Sequence, residues 1–218
     1  MEKLVLYHGS IRIIEKPLFG YKNPNSDYGS GFYCTTDIEA AREWACKLTK
    51  EGLVNKYKID ISGLNVLDLT DSKYNVFHWI TLLLKNRTIS EDILHGYKPA
   101  FDYLFERYSI DISKYDIVIG YRADDAYFKF PLAFIRGNIT IKQMEKIFSL
   151  GNLGKQVVLV SKKAFDRLEF VSYESVEEKY HEKYRSRILT ANRDLYDLIG
   201  DKNYKDETLV DVVRKALK

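Results

Sequence analysis

Leu4, Val5 and Leu6 form a continuous apolar run within Lys3–His8, which predicts a short buried strand. Phe19 to Gly31 is rich in glycine and asparagine, with Pro17 before it and Pro24 inside it, and predicts a loop. Phe32–Thr35 is a brief strand. Thr36 and Glu39 stand at the S/T-x-x-E spacing of a capping box. Ile38, Ala41, Ala45 and Leu48 then recur at helical spacing, predicting an amphipathic helix over Asp37–Lys50. Alternation in Leu53–Ile61 predicts a strand, and Leu64–Leu69 is a second candidate. Tyr74–Lys85 and Ile89–Tyr108 are helical in pattern, with Pro99 expected to break the second in two. Ile117, Val118 and Ile119 suit Asp116–Gly120 to a strand buried on both faces. Thr140–Leu150 predicts a short helix, Gln156–Val160 a strand, then a short helix to Leu168 and a strand at Glu169–Ser172. Glu174 to Lys218 looks helical in two or three pieces, interrupted near Gly200. No repeat and no low-complexity linker divides the chain. The expectation is one α+β domain over residues 1–172, with residues 173–218 as a helical extension packed on it.

Composition narrows this little. Hydrophobic residues make up 45% and charged residues 30%, an ordinary globular balance. The 14% aromatic share, carried mainly by 17 Tyr, suits half-buried clefts as well as cores. A net charge of +3 makes no electrostatic case for nucleic acid. The stretch Phe170–Lys218 holds ten Lys/Arg against ten Asp/Glu, a mixed solvated face with no basic tail. Cys34 and Cys46 are too few for a zinc set or a disulfide framework, and His78, His95 and His181 show no ligand spacing, so no metal is expected. There is no signal-like start and no apolar run of about 18 residues, so a cytoplasmic protein without a membrane partner is expected.

Three segments bear on chemistry. Leu6-Tyr7-His8-Gly9-Ser10 is a strand ending in His-Gly. Gly29-Ser30-Gly31-Phe32-Tyr33-Cys34-Thr35-Thr36 is a glycine-flanked aromatic strand running into a helix. Lys155-Gln156-Val157-Val158-Leu159-Val160 is a late strand. In this order they resemble the ADP-ribosyltransferase superfamily, specifically the diphtheria-toxin-like branch that includes the poly(ADP-ribose) polymerases. They are also similar to its small bacterial relatives, some of which are toxins. The likeness covers Leu4–Leu48 and Leu153–Phe170; the middle and the C-terminal extension are unmatched.

The resemblance implies a split mixed β-sheet core flanked by helices, NAD as co-substrate, and transfer of single ADP-ribose units. The acceptor would be an unknown protein or nucleic acid, and a toxin of this kind would be checked by an antitoxin partner. His8 would bond the adenosine-side ribose, and Gly9 the nicotinamide carboxamide, with Ser10 nearby. Tyr33 would stack on the nicotinamide ring and Trp44 would close its other side. Phe19–Gly31 would cover NAD, with Gly29 and Gly31 letting the chain pass close to it. Gln156 would stand where the family has its catalytic Glu, and Ala41 where the polymerases have a Ser.

Gln156 brings no negative charge to stabilise the oxocarbenium-like centre that forms when the nicotinamide bond breaks. Asp124 or Asp125, just past the strand ending at Gly120, could supply the carboxylate. Taken singly, each of these residues has an ordinary structural reading: His8 as a strand end, Tyr33 and Trp44 as core aromatics, the Asp pair as a helix start. Two other functions fit the same segments: a non-catalytic NAD or ADP-ribose binder, and an RNA 2′-phosphotransferase using Arg12, Arg122 and Arg87. Gly151-Asn152-Leu153-Gly154-Lys155 lacks the spacing of a phosphate loop.

Overall fold

The computed structural model describes residues 3–21, 26–48, 50–123, 127–149, 154–201 and 206–218. Two sheets form its centre. Strands β1 (Lys3–Ser10), β3 (Gly52–Asp60) and β7 (Leu168–Val176) make an antiparallel sheet in the order β1-β3-β7. Strands β2 (Phe32–Cys34), β4 (Val66–Asp68), β5 (Ile117–Tyr121) and β6 (Lys155–Leu159) make a mixed sheet in the order β2-β6-β5-β4, with only β4 and β5 parallel. The helices are α1 (Ile38–Ala45), α2 (Val76–Asn86), α3 (Glu91–Gly96), α4 (Lys98–Tyr108), α5 (Lys129–Ile135), α6 (Ile141–Ser149), α7 (Lys162–Asp166), α8 (Lys179–Gly200) and α9 (Leu209–Ala216). The chain is thus α+β, as its pattern predicts. No described helix is long and apolar enough to cross a membrane.

Side-chain alternation sorts the residues into layers. Leu6, Tyr57 and Ile59 of one sheet meet Phe32, Cys34, Ile117, Val157 and Leu159 of the other in a shared core. The opposite face of the mixed sheet, with Val118 and Val158, packs on Trp79, Ile80, Leu83, Leu104 and Phe134. Ala41 and Ala45 of α1 cover the outer face of the antiparallel sheet at Val54 and Val176.

The C-terminal extension is part of this body. Ala191 and Leu195 of α8 and Leu209 and Val213 of α9 join the largest core cluster, and Tyr180 joins the α1 cluster. Strand β7 runs to Val176, so a boundary at residue 172 cuts a strand. Leu209 is fully buried, and Leu209→Ala is expected to cost about 2–5 kcal/mol by transfer and cavity terms. Urea unfolding measures this, and a loss below about 1 kcal/mol would mean the tail packs loosely.

Several local expectations need correction. Strand β1 lies at a sheet edge, so Leu6 is fully buried while Val5 is 36% exposed; the apolar run does not make it buried on both faces. The cap of α1 is Asp37, whose carboxylate accepts from Glu39 N; the box on Thr36 does not form. The helix ends at Ala45, where Gly52 passes so close that a Cβ on it would lie 2.6 Å from the Ala45 carbonyl, and Leu48 is left exposed. Helix α5, which contains Pro131, has no counterpart in the periodicity.

Candidate functional site

The two sheets meet at one pair of bonds. Tyr7 N donates to Thr35 O at 2.8 Å, and Thr35 N donates to Tyr7 O at 2.9 Å. This bridge is antiparallel, so continuing its register sets Gly9 opposite Tyr33. The ladder is not continued. His8 Nδ1 takes the Tyr33 carbonyl instead, at 2.7 Å, and the strands part. By strand alternation the Gly9 N–H and C=O point the same way as those of Tyr7, away from β3 and towards β2. No backbone group bonds them there among the described residues.

Gly9 also fixes the wall of the opening. A Cβ at that position would lie 2.2 Å from Ala41 O and 2.5 Å from Ala45 N, so only glycine lets α1 seat against β1. Ala41 is therefore a packing residue. Ser10 Oγ accepts from Arg12 N at 3.0 Å and turns the chain after β1.

His8 lies against Phe32, with ring centroids 4.5 Å apart. Burial pushes its pKa down, opposed by its bond to the Tyr33 carbonyl. A carbonyl can only accept, so the neutral ring carries its proton on Nδ1 and Nε2 is left as an acceptor.

Tyr33 and Gln156 face the helical side of the mixed sheet, where a turn at Ser26–Gly29 covers them. The Tyr33 hydroxyl donates to Gly29 O at 2.7 Å and accepts from Tyr28 N at 3.0 Å. Burial is the first cause that raises its pKa. Gly29 has φ +73°, which favours glycine, and Gly31 is held bare by β6, since its Cβ would lie 2.7 Å from Leu159 O. Both glycines thus answer to the protein's own packing.

Under that turn lies a buried polar cluster. Asp27 Oδ1 accepts from Arg87 Nη2 at 2.6 Å and Nε at 3.0 Å; its Oδ2 accepts from Ala123 N at 2.9 Å and Gln156 Nε2 at 2.7 Å. Burial lifts the Asp27 carboxyl, and Arg87, the Ala123 N–H and Gln156 pull it back. Every contact is a donor, an arrangement that suits the ionised carboxylate. The Tyr28 hydroxyl donates to Tyr121 O at 2.7 Å and accepts from Trp79 Nε1 at 2.8 Å.

The remaining expected residues are placed as follows. Gln156 is 1% exposed and lies in this cluster. Trp44 is half-buried on α1 with the Arg122 guanidinium 4.3 Å over its ring, so one of its faces is already stacked. Asp124 and Asp125 lie outside the described residues, as do residues 22–25 of the covering loop. Arg87 caps α2 and is spent on Asp27, Arg122 stacks on Trp44, and Arg12 is exposed. Two clefts of about 130 and 200 Å³, the first around Tyr7, Lys56 and Glu174 and the second around Arg42 and Tyr180, are smaller than the ~300 Å³ typical of ligand pockets. No group of His, Cys, Asp and Glu among the described residues could hold a metal.

Sequence reasoning missed Asp27, Tyr28 and Trp79. Asp27 precedes Tyr28-Gly29 in the glycine-rich loop, and a charge beside an aromatic there was its one visible signal. Its partners come from α2, the end of β5 and β6, at distances in sequence that no local pattern spans.

These features define a two-sheet α+β protein with a neutral histidine and a glycine at the junction of its sheets and a buried carboxylate–carboxamide pair on the helical side of the mixed sheet. Residues 4–170 match the family described as Protein of unknown function (DUF3990), and the chain belongs to that family. No curated protein and no solved structure matches it.

Proposed function

We propose that this chain is an NAD-dependent mono-ADP-ribosyltransferase with an ADP-ribosyltransferase-like split-sheet fold. The observation that carries the reading is the parting of β1 from β2 after Tyr7–Thr35. It leaves the Gly9 N–H and C=O opposite Tyr33 with no backbone partner among the described residues. A donor and an acceptor side by side match a carboxamide, the group that marks nicotinamide. His8 Nε2 supplies an acceptor for a ribose hydroxyl at the same seam. The reaction breaks the bond between nicotinamide and the ribose carbon, with the electron pair leaving on nicotinamide. The acceptor nucleophile then bonds that carbon and gives up its proton. The protein's part is to hold both ends and stabilise the positive charge between them.

The acceptor is a protein or a nucleic acid, and the setting is cytoplasmic. A role as a toxin restrained by an antitoxin rests on the likeness to small bacterial relatives. A second reading, a non-catalytic NAD or ADP-ribose binder, is favoured by one observation: Gln156 is uncharged and the carboxylate beside it already has four donors. The phosphotransferase reading is weaker, because its three arginines have three separate surroundings.

Binding is tested by thermal denaturation with NAD. Ligand at a hundred times its Kd stabilises by about 2.7 kcal/mol, a rise of several degrees. No rise at millimolar NAD contradicts both readings. A rise without nicotinamide release or transfer selects the binder.

A further inference from the structure

We propose that Asp27 is a positioning residue that sets which atom of Gln156 meets the ligand, presenting the side-chain carbonyl as the acceptor for a sugar hydroxyl. In naming a ribose as that sugar, the inference rests on the reading above.

The Gln156 amide has one admissible orientation. Its Nε2 faces two acceptors, Asp27 Oδ2 at 2.7 Å and Tyr121 O at 3.3 Å. Turning the amide over would set Oε1 against a carboxylate and a carbonyl, with no proton between them. Oε1 therefore points the other way, where it is buried and has no partner among the described residues. Buried acceptors without a partner are uncommon in folded proteins, and a ligand donor would complete this one.

Asp27 itself does not reach a ligand. Its two oxygens are taken up by Arg87, Ala123 N and Gln156. Its place is fixed from both sides of the chain: Tyr28 is tied to Tyr121 O and Trp79, and the Tyr33 hydroxyl is tied to Tyr28 N and Gly29 O. Gln156 and Val158 project from the same face of β6, and Val158 pairs with Tyr33. The orphan carbonyl and the Tyr33 ring therefore belong to one patch. The carboxylate sits one residue removed, in the loop, and the strand position keeps the carbonyl half of its hydrogen-bonding character.

The test compares NAD with its analogue lacking the 2′-hydroxyl on the nicotinamide-side ribose, by calorimetry on the full chain. Wild type is expected to prefer NAD by about tenfold, the worth of one such bond to a buried acceptor. In Asp27→Asn the new amide can donate to Gln156, the Gln156 amide turns over, and the preference falls to near unity. Gln156→Met, which keeps the volume and removes the carbonyl, is expected to lose the preference too. A merely structural Asp27 would weaken both ligands together and keep their ratio. Equal binding of both ligands by wild type overturns this inference and leaves the NAD reading standing. Binding of neither overturns that reading and the ligand named here. In any variant that folds, a wild-type ratio contradicts the positioning role. The Gln156 side-chain amide protons give a ligand-free check: slow exchange in wild type and fast exchange in Asp27→Asn are expected, and equal exchange rates overturn the role.

Discussion

Arg87→Ala is expected to destabilise the fold by about 3–5 kcal/mol, the cost of leaving a buried charge without its partner. The Arg87 and Asp27 side chains are 9% and 6% exposed, so water cannot replace the guanidinium. The loss also strips a donor from Ala123 O at 2.7 Å and a cation from the face of Phe128. Two donors, Ala123 N and Gln156 Nε2, would remain for a carboxylate that burial already disfavours. The nearby Tyr28 and Tyr33 hydroxyls are neutral and add no compensating charge. The sign of the pH dependence follows. Asp27 has its pKa raised by burial, and removing Arg87 raises it further. A carboxyl with a raised folded pKa contributes stability that is fully present below the ordinary value of 3.8 and is lost as pH rises through the folded value. The variant should therefore close part of its gap to wild type as pH falls towards 3.8. Urea unfolding at neutral and acidic pH gives both numbers; a gap that stays constant would mean the pair is not an ion pair in the folded protein.

His8→Ala is expected to lower NAD turnover by on the order of a hundredfold or more, as removal of a preorganised polar group does, and to weaken NAD binding with it. Two losses combine: the acceptor at Nε2, and the donor that holds the Tyr33 carbonyl away from Gly9. Tyr33→Ala should do the same by another route, since its hydroxyl ties down the turn over the site. Acidification of the wild type should mimic part of the effect. Burial holds the His8 pKa below the ordinary 6.5, so its stabilising contribution is complete above 6.5 and is lost as pH falls towards the lower folded value. Protonation of the folded ring, at its lowered pKa, also turns Nε2 from acceptor to donor. Steady-state kinetics with NAD across pH 4–8 are expected to show binding falling on the acid side in the wild type and not in His8→Ala, and the same acid fall in both would remove His8 from the site.

The reach of the sequence is seen best at particular residues. Ile117 and Val118 are buried on the two faces of β5, as an unbroken apolar run flanked by polar residues implies. Pro99 falls in the first turn of α4, so the break it signals is a helix start at Tyr97. Leu48 shows the opposite case: helical spacing continued past the point where Gly52 and β3 demand the space, and tertiary packing ended the helix first. The balanced charges of the tail concealed Leu209 and Val213, whose burial depends on a core assembled from residues far away in sequence. Of the candidate residues, His8, Gly9 and Tyr33 were named from the resemblance that their segments carry, and the structure sets them together where the two sheets meet. Asp27 was not, because its meaning lies in Arg87 and Gln156, which only the fold brings to it.

The proposed reaction is transfer of ADP-ribose from NAD at the Gly9–Tyr33 seam. It is tested most directly by incubating the wild-type chain and His8→Ala with NAD labelled in the adenylate phosphate and a cell lysate, followed by separate protease and nuclease digestion. Covalent label on one class of macromolecule is expected with the wild type and little or none with His8→Ala, and the digestion tells protein from nucleic acid. Covalent label that His8→Ala supports as well as the wild type, or no label from a wild type that is folded, would contradict it.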